Sequence, residues 1–573
     1  MNIKIFSLLT LFIALIPNFV IGQSKTKYAV LTGKTNIIWE REMKLGTHNI
    51  PLSENGVFNY KLPLSNAASY TLSHQNRKVE LFIRPGDSLN IDFTEQEIVI
   101  RGTAEKLNIS LQEYEKKVLN NAMYLDNYNK MVFSLFPPEF NQKIDSLKKI
   151  DEKNLEEFLR NNKKLDNQFK IKLKDEITYR NKFYKLLYPH NFNRHTHKLP
   201  QVKSDYFISL TTGSFNHPEL LSSTPFVRYV NLYLDIQAMG NYKFQNMNSS
   251  PVERINSRYQ AIKDLSANQK VKDFFFNQHF KKALEEFSAK DLAKSFNLFE
   301  KDCMDEAIKT QVRTLYNKSV EQRKNPSEIK IYKQVGSIGL EAHIFNPKDF
   351  NKTDSRSAYI FFHGGSWATG MPEWGYENCR RYAGKGLVAI SIEYRLQNVH
   401  GSYISDAVTD ALFAVSWVRE HSIELGINPD KIVVAGFSSG AHLAACAAMI
   451  SKSNYFGDHQ TFSYKPNAII LQSAPYTVEN RGAISPVIPI DSYSPMANVE
   501  NGLVPMLLLH GEFDDIVKYS EFEQFVEKMK QTNNKFEYES FKSGHFFYNP
   551  DIIQMVNKLS DDFLVTYGFI NNN

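Results

Sequence analysis

The chain has 573 residues, of which 42% are hydrophobic and 23% charged, with a formal net charge of +6 at neutral pH. This is the composition of a soluble globular protein. At roughly 150 residues per domain, the length predicts three or four domains, or fewer if one is a large α/β unit. Basic and acidic residues are interspersed, as in KKIDEKNLEEFLRNNKKLD. That mixture indicates solvated helix surface and excludes a basic stripe for nucleic acid.

Residues 1–22 have the layout of a secretory signal peptide. A single basic residue, Lys4, precedes an apolar run over residues 5–16, and Gly22 precedes a cleavage point ahead of Gln23. Pro17 cuts the run short of the roughly 20 apolar residues that a membrane-spanning helix needs. No cysteine follows the cleavage point for lipid attachment. We therefore expect an exported protein, periplasmic or secreted, with no membrane span after cleavage.

Residues 24–102 contain short runs rich in β-branched and aromatic residues, separated by turn sequences such as SENG and RPGD. They predict a small antiparallel β domain of the sandwich type. The segment VELFIRPGDSLNIDF, followed by RGTAEKLN, resembles the β domain at the start of secreted bacterial thiol-disulfide oxidoreductases. No thioredoxin domain follows here. The resemblance implies an accessory role with a partner in the cell envelope, and it transfers no activity.

Residues 103–324 carry apolar residues at three- and four-residue steps, which predict an all-helical region broken by prolines such as Pro189. The chain has three cysteines, Cys303, Cys379 and Cys446. Their odd number and wide spacing argue against a disulfide scaffold, and no CxxC or zinc pattern is present. The sequence leaves open whether Cys303 and Cys379 pair, and it predicts no metal site.

From residue 325 to 573 strand-like runs such as SAYIFFHGG, LVAISIEY and PMLLLHG alternate with helical ones. Apolar strands with helical crossovers predict an α/β domain with a mostly parallel sheet that is covered on both faces. In such sheets the functional residues lie just after the carboxyl ends of strands. Any candidate site in this region must meet that requirement.

The pentapeptide GFSSG, residues 436–440, follows the strand KIVVA directly and opens a helix. A serine on so sharp a turn is strained, and Cβ atoms at Gly436 and Gly440 would clash with neighbouring backbone. The turn would lift the Ser438 hydroxyl clear of the sheet and place helix N-terminal amides beside it. Taken alone, the pentapeptide fits a structural turn as well as a nucleophile.

Three further stretches favour the nucleophile. FFHGGSW follows a strand upstream, and the backbone amides of Gly364 or Gly365, with that of Ser439, would stabilise a developing oxyanion. We expect the His363 side chain to anchor this loop.

LLLHGEFDDIV places an acid after a buried strand, where a carboxylate would orient a histidine; Asp514 is the predicted acid and Asp515 the alternative. FKSGHFFYN places His545 after the final strand.

The order Ser438, Asp514, His545, each after a separate strand, is that of α/β-hydrolases and of neither major serine protease fold. Residues 328–570 resemble the esterase/lipase branch of that superfamily with an HGG-x-W oxyanion loop, including BD-FAE-like esterases and kynurenine formamidase-like enzymes. IEYRL, DAVTDALFAVSWVREH and INPDKIVVAGFSSGAHLA also match this branch, as does SPMANVENGLVPMLLLHGEFDDIV. Ser366 replaces the third glycine of the lipase HGGG motif.

The resemblance implies a serine carboxylic ester hydrolase that acts on small-molecule or glycan esters and needs no metal or organic cofactor. Trp367, Trp374 and Tyr376 follow the oxyanion loop and are candidate substrate-binding residues, with simple packing as the alternative. Two other functions remain open. One is a peptidase or amidase of the prolyl-oligopeptidase kind, and the other is a non-catalytic envelope-binding protein on a hydrolase scaffold.

Overall fold

The computed structural model describes residues 27–571 except 37–40, 47, 75–76, 95, 128, 164, 166, 203–204, 214, 239–250, 451–462 and 480. The predicted signal peptide, residues 1–22, lies outside the described residues. The chain divides into two compact units, residues 1–38 with 42–113 and residues 39–41 with 114–573. No helix in the described part of the chain combines the length and the apolar composition that a bilayer crossing requires.

The first unit contains two four-stranded sheets, in the orders β4-β1-β7-β8 and β3-β2-β5-β6. The strands are β1 Tyr28–Thr35, β2 Glu42–Leu45, β3 His48–Pro51, β4 Val57–Pro63, β5 Ala68–His74, β6 Arg77–Ile83, β7 Ser88–Phe93 and β8 Ile98–Gly102. The pairs are antiparallel except β1 with β7, which is parallel. Alternate residues of both sheets, such as Leu31 and Leu72, face one shared core, as in a sandwich.

Helices dominate the chain from residue 105 to residue 322. They are α1 Glu105–Asn127, α2 Asn129–Phe133, α3 Pro137–Asn161, α4 Asn167–Thr196, α5 Tyr206–Thr211, α6 Thr224–Ala238, α7 Pro251–Lys263, α8 Gln269–Glu286, α9 Ala289–Asp302 and α10 Glu306–Gln322. Buried aromatic side chains, among them Phe226, Phe275 and Phe280, fill the main core of this region.

Pro189 does not break a helix as predicted, because α4 continues through it to Thr196. A proline removes one backbone hydrogen bond from a helix. Its neighbour Tyr188 stacks on Phe140 at 3.9 Å between ring centroids, and Phe192 packs in the same core cluster. This packing keeps the backbone helical on both sides of the proline.

The C-terminal region is built on an eight-stranded sheet in the order β16-β15-β14-β13-β11-β12-β10-β9. The strands are β9 Glu328–Val335, β10 Ile338–Phe345, β11 Arg356–Phe362, β12 Val388–Ile392, β13 Ile427–Phe437, β14 Ala468–Gln472, β15 Met506–Gly511 and β16 Phe536–Phe541. Its pairs are parallel from β12 through to β16, and β10 pairs antiparallel with both β9 and β12.

Helices cover both faces of this sheet, so the central strands are buried on both sides and read as continuous apolar runs. The helices are α11 Tyr376–Gly384, α12 Gln397–His400, α13 Ile404–Glu420, α14 Ser439–Met449, α15 Tyr519–Lys530 and α16 Pro550–Thr566. Residues of α13, α14 and α15 pack in one core cluster, and residues of α11 and α16 pack in another. The fold predicted for residues 325–573 is confirmed.

The three cysteines are free and buried. Cys303 packs in the core of the helical region, whereas Cys379 lies in the core beside α11 and α16. The pairing that the sequence left open is therefore absent.

Candidate active site

Ser438 occupies the turn between β13 and α14 with φ 53° and ψ −123°. This is a strained conformation for a residue with a side chain, and the surrounding backbone holds it. A Cβ atom at Gly440 would lie 2.0 Å from the carbonyl oxygen of Phe362, and one at Gly436 would lie 2.3 Å from the backbone of Gly440. Both glycines are therefore required for the close approach of β13, α14 and β11.

His545 lies between Ser438 and Asp514 in space, although 107 residues separate it from Ser438 along the chain. Its Nε2 is 2.9 Å from the Ser438 Oγ, and its Nδ1 is 2.7 Å from Oδ2 of Asp514. All three residues are less than a tenth exposed. The three follow β13, β15 and β16, so the sheet brings them together at the carboxyl ends of its strands.

The Asp514 carboxylate accepts hydrogen bonds from three donors, and a second imidazole lies nearby. Its Oδ1 accepts the backbone N–H groups of Ile516 at 2.9 Å and Val517 at 2.8 Å. Its Oδ2 faces His545 and also the Nε2 of His510, at 3.3 Å. Asp515, the alternative acid, is exposed to solvent.

The sequence reading did not single out His510. This buried histidine is the one polar side chain of β15, and its Nε2–H donates to the Val517 carbonyl at 2.9 Å. The sequence feature that points to His510 is its position four residues before Asp514, at the end of the same strand.

The oxyanion loop, residues 363–367, lies directly beside the serine. A Cβ atom at Gly364 would come within 3.3 Å of the Cβ of Ser438. Within the described residues, the backbone amides of Gly364, Gly365 and Ser439 donate to no protein acceptor. Free amides next to a serine hydroxyl are the donors that a developing oxyanion requires.

His363 supports this loop from within. Its Nδ1–H donates to the Gly364 carbonyl at 2.7 Å, and its ring stacks on Tyr394 at 4.4 Å between centroids. The Tyr394 hydroxyl donates to the His363 carbonyl at 2.7 Å. Burial lowers the pKa of His363 to about 4, so the ring is neutral near neutral pH. Its contacts are those of an anchor for the loop.

The structure places the three candidate substrate-binding residues in different environments. Trp367 is 4% exposed and packs edge-on against His442, and Tyr376 is 2% exposed and packs against Phe345. Trp374, in contrast, is 47% exposed. The chain folds back on itself after the oxyanion loop, so only Trp374 of the three presents a large surface to solvent.

A strip of aromatic rings that the sequence reading did not select runs outward from His545. Phe437 lies 5.1 Å from the His545 ring and 5.3 Å from Phe546, which stacks on Tyr548 at 5.6 Å. Phe546 is 44% and Tyr548 57% exposed. We refer to these three residues, Phe437, Phe546 and Tyr548, as the aromatic strip.

In the described part of the chain, no group of three or more His, Cys, Asp or Glu side chains is arranged to hold a metal ion. What the site does contain is a hydroxyl, an imidazole and a carboxylate in hydrogen-bonded series. Such a series can remove the proton of the serine as it attacks a carbonyl carbon, while the amides stabilise the resulting negative charge.

Two family models match overlapping parts of the C-terminal region. The BD-FAE profile matches residues 343–480, which contain the oxyanion loop and GFSSG. The serine hydrolase (FSH1) profile matches residues 412–553, which contain Ser438, Asp514 and His545. The C-terminal region is an α/β-hydrolase domain of the serine esterase type. Both matches lie outside residues 24–102, so the resemblance of the β domain to that of the oxidoreductases stays a prediction.

The hydrolase domain is similar to esterases from several organisms. A probable isoprenylcysteine alpha-carbonyl methylesterase, ICMEL1 of Arabidopsis thaliana, is 28% identical over an alignment of 218 residues, and the match covers 34% of this chain and 45% of that protein. Esterase LipI of Mycobacterium tuberculosis is 29% identical over 181 residues, which are 31% of this chain and 55% of that protein. The chain spans about half the length of these curated relatives.

Among solved structures, the thermophilic esterase Est2 of Thermogutta terrifontis with butyrate bound is 33% identical. The match covers 44% of this chain and 97% of that one, with a TM-score of 0.40. The same esterase phosphorylated by paraoxon is 34% identical, with 43% and 96% covered and a TM-score of 0.41.

Proposed function

We propose that the protein is an exported serine carboxylic ester hydrolase with Ser438, His545 and Asp514 as its catalytic triad. The observation that carries the proposal is the continuous series from the Ser438 Oγ through the His545 ring to the Asp514 carboxylate, with separations of 2.9 and 2.7 Å. Export rests on the sequence of residues 1–22 alone.

In the proposed reaction His545 takes the proton of Ser438 as the serine oxygen attacks the ester carbonyl carbon. The amides of Ser439 and of Gly364 or Gly365 stabilise the negative oxygen of the tetrahedral intermediate. The alcohol leaves with the proton from His545, which forms the acyl-enzyme. Water, deprotonated by the same ring, then releases the acid and restores Ser438.

The proposed substrate is an ester whose alcohol carries a ring, with acylated glycans as one such class. His545 protonates the leaving alcohol, so the alcohol departs on the side of the aromatic strip. Exposed rings of this kind stack on planar or ring-shaped groups. Trp374 offers a further exposed ring near the oxyanion loop, at 5.8 Å from His363.

The test is labelling of the purified protein with a fluorophosphonate probe, followed by assays on p-nitrophenyl esters and on an X-Pro amide. We expect wild type to be labelled and to hydrolyse the esters, and Ser438→Ala to do neither. Ser422→Ala removes an equally buried serine after α13 and should behave as wild type. Unlabelled wild type, or equal labelling of Ser438→Ala, would contradict the triad. Faster cleavage of the amide would favour a peptidase.

A further inference from the structure

Glu373 is a buried carboxylate in the short 3-10 turn Pro372–Gly375, just after the oxyanion loop. Its side chain is 2% exposed. Within the described residues its partners come from the helical region: the Arg323 Nη1 at 3.3 Å and the Ser288 Oγ at 3.2 Å. A buried carboxylate that loses its cation is strongly destabilising. The turn that carries Glu373 therefore depends on the helical region.

The two partners mark the ends of two helices. Ser288 is the N-cap residue of α9, and Arg323 is the C-cap residue of α10. Arg323 donates to the Ser288 Oγ at 2.8 Å and pairs with Glu341 of β10 at 3.1 Å. The planar guanidinium thus holds both helix ends, a strand of the hydrolase sheet and Glu373 in one fixed geometry.

The segment around Glu373 packs against the oxyanion loop and the end of β11 without spare room. A Cβ atom at Gly370 would lie 2.5 Å from the His363 Nδ1, and one at Gly375 would lie 2.5 Å from the Phe361 ring. Trp374 contacts the His363 ring edge-on at 5.8 Å. Close-packed interiors transmit displacements to their neighbours. A shift of Glu373 would therefore reach the loop that carries the Gly364 and Gly365 amides.

We infer that Arg323 and Ser288 are positioning residues that act through Glu373 to hold the oxyanion loop in its working geometry. Efficient catalysis by the hydrolase domain would then require the helical region, although that region contributes no group to the reaction. The catalytic consequence rests on the proposed function. The structural consequence, an ordered loop over residues 361–376, does not.

The kinetic test compares wild type with Arg323→Gln, Arg323→Lys and Glu373→Gln. A misplacement of about 1 Å in a catalytic site costs on the order of 100-fold in rate. We expect Arg323→Gln to lower kcat by roughly 10- to 100-fold with little change in KM, because the oxyanion donors act mainly in the transition state. Arg323→Lys should recover part of the loss. Because both residues act in one contact, adding Glu373→Gln to Arg323→Gln should lower kcat little further.

The control is Arg313→Gln in α10, which removes a more exposed ion pair between Arg313 and Glu300 of α9. It should keep the wild-type kcat. If Arg323→Gln also keeps it, or if the losses from Arg323→Gln and Glu373→Gln multiply as for independent sites, the inference is overturned.

Hydrogen–deuterium exchange provides a readout that needs no activity. Amides within residues 361–376 should exchange faster in Arg323→Gln than in wild type, while those of α13 should be unchanged. Unchanged exchange over 361–376, or a rise spread over the whole hydrolase domain, would overturn the inference. Inactive, unlabelled wild type would refute the proposed function instead, and the exchange data would still decide the coupling.

Discussion

Two adjacent aspartates follow β15, and their surroundings separate them. Asp514 turns inward, where two backbone N–H groups and two imidazoles surround its carboxylate. Asp515 is exposed. Sequence spacing favoured Asp514 but left Asp515 open, because neighbouring residues in a loop can point in opposite directions. The tertiary contacts supply the distinction.

We expect Asp514→Asn to lower kcat by roughly 10³- to 10⁴-fold, since an amide in place of the carboxylate favours the wrong tautomer of His545. Asp515→Asn should retain nearly full activity. Steady-state kinetics on p-nitrophenyl acetate measure both. The opposite ranking would assign the acid to Asp515.

The aromatic strip makes a separate prediction about substrate choice. Phe546→Ala removes an exposed ring whose stacking is worth about 0.5–1.5 kcal/mol. We expect KM for 1-naphthyl acetate to rise by roughly 3- to 10-fold, while KM for ethyl acetate changes little. Ile423→Ala, which truncates an 89% exposed side chain ahead of β13, is the control. Equal effects of Phe546→Ala on both esters would remove the strip from substrate binding.

At the scale of single elements, the β13–turn–α14 unit is the feature that the sequence predicts most completely. Its requirements are local: a buried strand, a strained serine and two glycines at residues 436 and 440. The structure adds the neighbouring atoms that leave no room for a side chain, such as the Phe362 carbonyl oxygen of β11 beside Gly440. By contrast, the proline signal in α4 was misleading, because packing of Tyr188 and Phe192 outweighs one lost hydrogen bond.

Gly440→Ala should abolish most activity and lower the melting temperature, because the added methyl would meet a backbone oxygen that cannot move aside. Overpacking of this kind costs about 1–3 kcal/mol. Gly384→Ala is the matched control. It lies in α11 with nothing within 4 Å of the added carbon, and it should be neutral or slightly stabilising. Thermal melts and ester assays test the pair. Full activity of Gly440→Ala would contradict the close approach of β11.

At the scale of the whole chain, a cluster of charges joins the helical region to the hydrolase sheet. Glu393 belongs to this cluster, with Lys290 of α9 at 3.8 Å and the Glu341 N–H at 3.0 Å. Burial raises the pKa of Glu393 to about 7, assisted by the nearby Glu341 and Asp291 and opposed by Lys290. The folded protein thus holds this proton more tightly than the unfolded chain does.

Because the pKa of Glu393 is raised in the folded state, the free energy of unfolding depends on pH. Between the ordinary pKa of a glutamate, about 4.3, and pH 7, the folded state binds more protons, so the free energy of unfolding falls as pH rises. Glu393→Gln cannot titrate, and its amide oxygen can still accept the Glu341 N–H. We therefore expect the melting temperature of Glu393→Gln, relative to wild type, to increase from pH 5 to pH 8.

Glu424→Gln is the control for this measurement. Lys330 lowers the pKa of Glu424, so that carboxylate stays charged throughout the range. The melting temperature of Glu424→Gln relative to wild type should not change between pH 5 and pH 8. If the melting temperature of Glu393→Gln relative to wild type is also constant from pH 5 to pH 8, Glu393 does not titrate in this range.

The motifs around Ser438, Asp514 and His545 were readable from the sequence because each depends on a short segment at the end of one strand. Contacts between distant segments were not readable in this way. Ser288 and Arg323 lie 85 and 50 residues from Glu373 along the chain, and no local pattern pairs them. Whether Trp374 or its neighbours faced solvent was likewise decided by how the loop folds back. Local sterics shape a turn, whereas burial and long-range charge pairing exist only once the chain has packed.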